Sequence, residues 1–242
     1  MPYLPPPQFN RDEMSDVSTK ALGLSAGART PIRFGAWAGL GGPVLFVAVF
    51  VIEGWLRLGY ASSRMYVSAL SYGPFGWIQI ANFVVVGLCF LLLSKSTAVQ
   101  FRDGKASRAG PVLLAIVGLG LLGSGPFVMD PAGTPFPQMS THGQVHAILG
   151  ALVFSLGPAS CFVFFRRFRA DPTWGSFRWW TLAAGILMTT AVILLKVATL
   201  PPPASPNALS EWVGVLQRII IVPLMAWAAC LAGRMLWVAQ RE

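Results

Sequence analysis

Six apolar runs take up most of this chain, near residues 35–56, 77–94, 110–129, 146–165, 179–200 and 213–237. A hydrocarbon core takes about 20 helical residues to cross. In lipid, every backbone N–H and C=O must find its partner inside the segment, so runs of this length must be helices. The expected fold class is therefore all-α: a polytopic membrane protein with six transmembrane helices. Composition agrees, with 55% hydrophobic and 11% charged residues against about 25% charged in soluble domains. The expected organisation is a flexible polar tail over 1–33, a six-helix transmembrane domain over 34–238 and a short C-terminus over 239–242. The first 30 residues, with Pro5, Pro6 and Pro7, have no apolar stretch of the kind a signal peptide carries.

Orientation follows from the basic residues between the runs. The N-terminal segment, the loops after the second and fourth runs and the C-terminus hold 14 of the 18 Lys and Arg residues. Cytoplasmic loops collect positive charge, which predicts both termini on the cytoplasmic side of a plasma membrane. Trp55, Trp77 and Trp212 fall at the predicted outer boundary. Trp37, Trp174, Trp179, Trp180 and Trp237 fall at the inner one, as an aromatic belt requires. The net charge of +9 then reads as an affinity for anionic lipid headgroups at the cytoplasmic face, with no nucleic-acid partner. Cys89, Cys161 and Cys230 each lie in an apolar run and read as buried thiols. Gly35 and Gly39, with Gly118, Gly120, Gly123 and Gly125, permit close helix approach. Pro43, Pro158 and Pro223 fall inside spans and should loosen them locally.

Charge within hydrocarbon is costly and is usually retained for a pairing or a site. Glu53, Lys196 and Arg218 sit in or at the rim of apolar runs, and all three map to the outer face. Glu53 and Arg57 have the i, i+4 spacing for pairing on one helix face, and Gln79 and Asn82 are three apart on another. His142 and His146 share a face at the start of the fourth run, where Ser140 or Thr141 is placed to cap the helix. The expectation is that Glu53, Gln79, Asn82, Asp130, His142, His146, Lys196 and Arg218 converge in an outward-facing polar pocket. Snorkelling of long basic side chains is the competing reading for Lys196 and Arg218. Zinc would accept His142, His146 and Asp130 as a ligand set, although no cofactor is implied. Ser68 and Ser71 precede the second run, and a serine nucleophile there would need His142 or His146 as its base.

The stretch Tyr66-Val-Ser-Ala-Leu-Ser-Tyr-Gly-Pro-Phe-Gly-Trp-Ile-Gln-Ile-Ala-Asn-Phe-Val-Val-Val-Gly87 resembles the domain-of-unknown-function family numbered 998. So does the segment from Asp130-Pro131 to His142-Gly-Gln-Val-His146. The resemblance covers about residues 35–238 and implies a prokaryotic six-span membrane architecture without an assigned activity. A fainter similarity is to metal-dependent lipid hydrolases with Ser, Asp and three His at one membrane face; this chain has two His. The leading expectation is non-enzymatic: binding or moving a small amphipathic or anionic ligand, drawn by Lys196 and Arg218. A metal-assisted hydrolase of lipid-like substrates and a structural membrane partner are the alternatives.

Overall fold

The structure, a computed structural model, describes residues 26–199 and 208–241, with side chains from residue 32 onward. The expected tail over residues 1–25 and the prolines at 201–203 lie outside the described residues. Among the described residues, six α-helices follow one another: α1 (Ala26–Leu56), α2 (Gly76–Gln100), α3 (Ala109–Ser124), α4 (Thr141–Phe168), α5 (Arg178–Thr199) and α6 (Val213–Val238). Short 3-10 turns at Val67–Ser71, Phe136–Gln138, Gly175–Phe177 and Ser210–Trp212 join them, and no strand occurs among the described residues. α1 begins ahead of the expected boundary at residue 34.

Among the described residues, five segments have the length and apolarity to cross a membrane: Ile32–Leu56, Gly76–Gln100, Thr141–Phe168, Gly175–Thr199 and Ser210–Val238. α3 is shorter, at 16 residues, or about 24 Å of rise. The apolar run there continues to residue 129, but Pro126 follows the C-cap Gly125. Proline has no N–H to donate to the carbonyl four residues back, so the regular helical ladder ends there.

The helices form a closed ring. Each packs against its sequence neighbour, and α6 returns to pack against α1. α6 is the most enclosed of the long segments and also touches α4 across the bundle. α2 and α3 approach closely at Gly87 and Gly118. A Cβ on Gly87 would lie 2.5 Å from the Leu122 nitrogen, and one on Gly118 would lie 3.0 Å from the Gly87 carbonyl. The glycine run expected to allow close packing does so here, with Gly87 as the opposing half.

Two distinct ends result. At one end, the segment between α1 and α2 meets those before α4 and α6. Tyr72 donates to the Met129 carbonyl at 2.9 Å, the Gly214 N–H donates to the Ser63 carbonyl at 2.8 Å, and Arg64 pairs with Glu211 at 2.6 Å. At the other end, Arg167 donates to the Asp103 carbonyl and Arg234 to the Thr173 carbonyl. Trp174 corrects the expected aromatic belt: it is buried, stacked on Phe168 at 5.0 Å and edge-on to Phe101 at 5.0 Å. The loop after α4 folds back under the bundle, so this indole fills the core. Trp55, Trp77, Trp212, Trp37, Trp179 and Trp180 are exposed on the outside of the ring, as a belt requires.

Candidate functional site

The end built from the α1–α2 segment carries nearly every polar side chain singled out in the sequence. Glu53, in the last turn of α1, is buried, and its Oε1 accepts from Arg57 Nη2 at 2.6 Å. Arg57 also donates through Nη1 to the carbonyls of Leu70 at 2.8 Å and Tyr72 at 2.9 Å. The pair expected from i, i+4 spacing therefore forms and clasps the 3-10 turn Val67–Ser71 on both sides of Ser71. That turn also lies hard against the start of α2, where a Cβ on Gly76 would fall on the Ser71 carbonyl. This close approach gives the Gly76-Trp77 motif a physical reason.

Gln79 and Asn82 both face inward and are buried. Asn82 Nδ2 donates to the Phe46 carbonyl of α1 at 3.1 Å and to Gln79 Oε1 at 3.2 Å. Three buried polar atoms at this end have no hydrogen-bond partner: Glu53 Oε2, Ser71 Oγ and Gln79 Nε2. Their levels can be placed from helix rise. α1 and α2 run antiparallel and are pinned at Phe46 and Asn82. Seven residues from Phe46 reach Glu53 and six from Asn82 reach Gly76, both about 10 Å toward the loop end, so Ser71 is level with Glu53. Gln79 lies about one turn deeper. One acceptor, one hydroxyl and one amide donor thus lie within about one helical turn of one another in depth.

α4 contributes His146. Its Nδ1 lies 2.7 Å from the Phe127 carbonyl, and its Nε2 lies 3.1 Å from Ser68 Oγ. A carbonyl can only accept, so in the neutral ring Nδ1 carries the proton. Nε2 then presents its lone pair to the Ser68 hydroxyl, itself buried. The imidazole packs edge-on to Phe83, one turn from Gln79 on the same helix, at 6.2 Å.

The remaining expected residues are arranged otherwise. Asp130 accepts from the Ser140 N–H at 2.6 Å and from Ser140 Oγ at 3.0 Å, while Ser140 Oγ accepts from the Gly143 N–H at 3.1 Å. This carboxylate is a brace for the α4 N-cap, with Ser140 as the cap expected from sequence. His142 is exposed and packs beside Phe127 at 5.4 Å. Among the described residues, no three His, Cys, Asp or Glu side chains gather so as to hold a metal ion. Lys196 is exposed, and no described carboxylate pairs with it.

Arg218 points into the same end but is fully engaged. Its Nη1 donates to the carbonyls of Ser62 at 2.7 Å, Met65 at 3.1 Å and Gly214 at 2.8 Å, and its Nη2 donates to Tyr60 Oη at 2.5 Å. Its neighbour Gln217 accepts from the Val67 N–H at 2.7 Å. Glu211 pairs with Arg64 instead of with Arg218. Burial raises the Tyr60 phenol above its ordinary value, against the opposing pull of the Arg218 guanidinium. Tyr72 is pushed up to about 12 by burial and by the charge of Asp130. Sequence reasoning missed Tyr60, Gln217 and the clasping role of Arg57. Gln217 carried a signal, as an uncharged polar side chain inside an apolar run beside Arg218.

The ring of long apolar helices, closed at one end by a polar, loop-anchored cluster, defines an integral, all-helical, polytopic membrane protein. A family described as "Protein of unknown function (DUF998)" matches residues 40–234, and the chain belongs to that family. No curated protein and no solved structure matches it.

Proposed function

We propose that this protein binds a small amphipathic ligand by its polar group, at the end of the bundle formed by the α1–α2 segment. The observation that carries this reading is the set of unpartnered buried atoms: Glu53 Oε2, Ser71 Oγ and Gln79 Nε2. A buried polar atom without a partner costs about 1–3 kcal/mol, so three at one end of the bundle favour a polar ligand group there. They match a group that both donates and accepts hydrogen bonds, such as a hydroxyl or amide headgroup. The engagement of Arg218 with carbonyls weighs against an anion held by that side chain.

The same reading takes all six helices as spans, α3 included, in a plasma membrane with both termini cytoplasmic. Basic loops at the opposite end support that orientation. There Arg234 and Arg241 lie over Trp237 at 4.1 and 3.7 Å, and Arg178 lies over Trp179 at 5.1 Å. A basic, aromatic end of this kind suits an interface with anionic headgroups, which supports an outward-facing polar cluster. A structural role for the charges has its own support in Arg218, which ties α6 to the first loop.

Native mass spectrometry of the protein in mild detergent tests the binding reading. The expected result is a bound small molecule that is lost in Gln79→Leu and Glu53→Gln while the melting temperature stays within a few degrees. A wild-type protein carrying nothing but water at this site overturns it.

A further inference from the structure

Ser68 and His146 form the one contact in the cluster that joins a hydroxyl to a basic nitrogen with its lone pair turned toward it. The Phe127 carbonyl, 2.7 Å from Nδ1, fixes both the tautomer and the ring plane. Ser68 Oγ lies 3.1 Å from Nε2, within the reach of a general base. The arrangement of nucleophile, base and orienting group is the one by which a serine is activated, with a backbone carbonyl as the third member. Gln79 adds what an acyl transfer needs beyond the pair. Its amide Nε2 is buried and without a partner, and it stands one turn from Phe83, on which His146 packs. A fixed donor of this kind, brought to the reacting carbonyl, is how a developing oxyanion is stabilised.

We propose that Ser68 is an acyl-accepting nucleophile, with His146 as its base and Gln79 as a donor to the oxyanion, acting on carboxylic esters of amphipathic molecules drawn from the membrane. This rests on the same end of the bundle being a ligand site, and adds a reaction to it. Ser68 Oγ adds to the ester carbonyl while His146 Nε2 takes the hydroxyl proton. The tetrahedral intermediate expels the alcohol, which leaves with that proton, and the acyl group remains on Ser68. Water then adds to the acyl carbonyl, giving its proton to His146. Collapse releases the carboxylic acid and returns a proton to Ser68 Oγ.

Access comes through the segment that covers the pair. A depression of about 320 Å³ opens on the outer surface, and Ala69, the residue next to Ser68, forms part of its wall with Tyr60, Met65 and Tyr72. Gly59 and Gly73, with φ of 77° and 72°, bound the stretch that must shift to uncover Ser68. Leu58 and Phe75 at its margins are exposed and apolar, suited to an acyl chain.

The test is labelling of the detergent-purified protein with an alkyl fluorophosphonate, whose phosphorus Ser68 would attack with loss of fluoride. Peptide mass spectrometry should find the adduct on Ser68. The rate should fall at least about 100-fold in His146→Gln, the scale of a lost general base, and stay unchanged in Ser176→Ala, in the turn Gly175–Phe177 at the opposite end of the bundle. A folded wild-type protein with no adduct on Ser68 overturns the proposal, as does labelling of Ser68 that His146→Gln leaves untouched. A co-purified ligand without labelling removes the reaction and leaves the binding reading standing. Labelling of Ser68 in a protein without co-purified ligand supports the reaction and removes only a ligand held stably through purification.

Discussion

Arg218 of α6 donates to the hydroxyl of Tyr60 across 2.5 Å, and through this contact the first loop is held onto the last helix. The same guanidinium satisfies the Ser62, Met65 and Gly214 carbonyls. An ammonium offers three rotating donors in place of a fixed planar fork. Arg218→Lys should therefore lose part of the anchoring, and Arg218→Met should lose all of it. Leaving several carbonyls without donors should cost about 2–3 kcal/mol, measured as a lower midpoint in denaturant titration of the detergent-solubilised protein. Amide exchange should rise over residues 60–66 before it rises elsewhere.

The phenols near this anchor set a limit at high pH. Tyr60 and Tyr66 are raised by burial, and Tyr72 is raised to about 12 by burial and Asp130. A phenol whose folded value is raised keeps its proton longer in the native state than in the unfolded chain. Stability from these groups is therefore complete below about pH 10, the unfolded value, and is lost as pH rises through the folded values. Absorbance titration near 295 nm should show Tyr72 ionising near pH 12. Tyr72→Phe should fall less steeply in stability between about pH 10 and 12 than the wild type; equal slopes would remove the effect.

Helix spacing makes a separate prediction. A Cβ on Gly87 meets the backbone of Leu122, at 2.5 Å from its nitrogen and 2.7 Å from its Cα, and backbone cannot step aside as a side chain can. Gly87→Ala should cost about 1–3 kcal/mol as an overpacked contact. Gly150→Ala faces open space and should be neutral or stabilising by up to about 1 kcal/mol through helix propensity. Parallel melting curves of the two variants check the contrast.

The α4 cap can be probed in the same way. Ser140 Oγ accepts from the Gly143 N–H, and Asp130 holds Ser140 by both its N–H and its hydroxyl. Ser140→Ala should cost about 1 kcal/mol. Because the cap sits just ahead of His146, faster amide exchange should be confined to the first turns of α4.

What was readable beforehand divides along physical lines. Periodic and local features came through: the apolar runs became helices, Glu53 found Arg57, Gln79 found Asn82, and Ser140 capped α4. Each of these depends on spacing within one element. Partners set by tertiary closure did not come through. Whether Arg218 met an acid or a carbonyl depended on how the 57–75 segment folds over α6, and no periodicity encodes that. The histidines show the same division, since i, i+4 spacing places both on one face but cannot say that His146 turns inward while His142 stays exposed. α3 ended early because Pro126 outweighed the apolar run around it.

Trp174 offers the sharpest check on the interior of the opposite end. Position alone suggested a headgroup-level indole, yet it is enclosed by Phe101, Phe168 and Phe177. Trp179, five residues on, is 61% exposed. In vesicles of brominated lipid, Trp174 should keep its fluorescence while Trp179 is quenched, read in variants that retain each alone. Trp174→Ala should cost about 3–5 kcal/mol, as for a large aromatic lost from a packed core, and Trp179→Ala well under about 1 kcal/mol. If lipid quenches Trp174 as strongly as Trp179, the loop after α4 does not fold under the bundle, and the aromatic cluster joining Phe101, Phe168 and Phe177 is not formed.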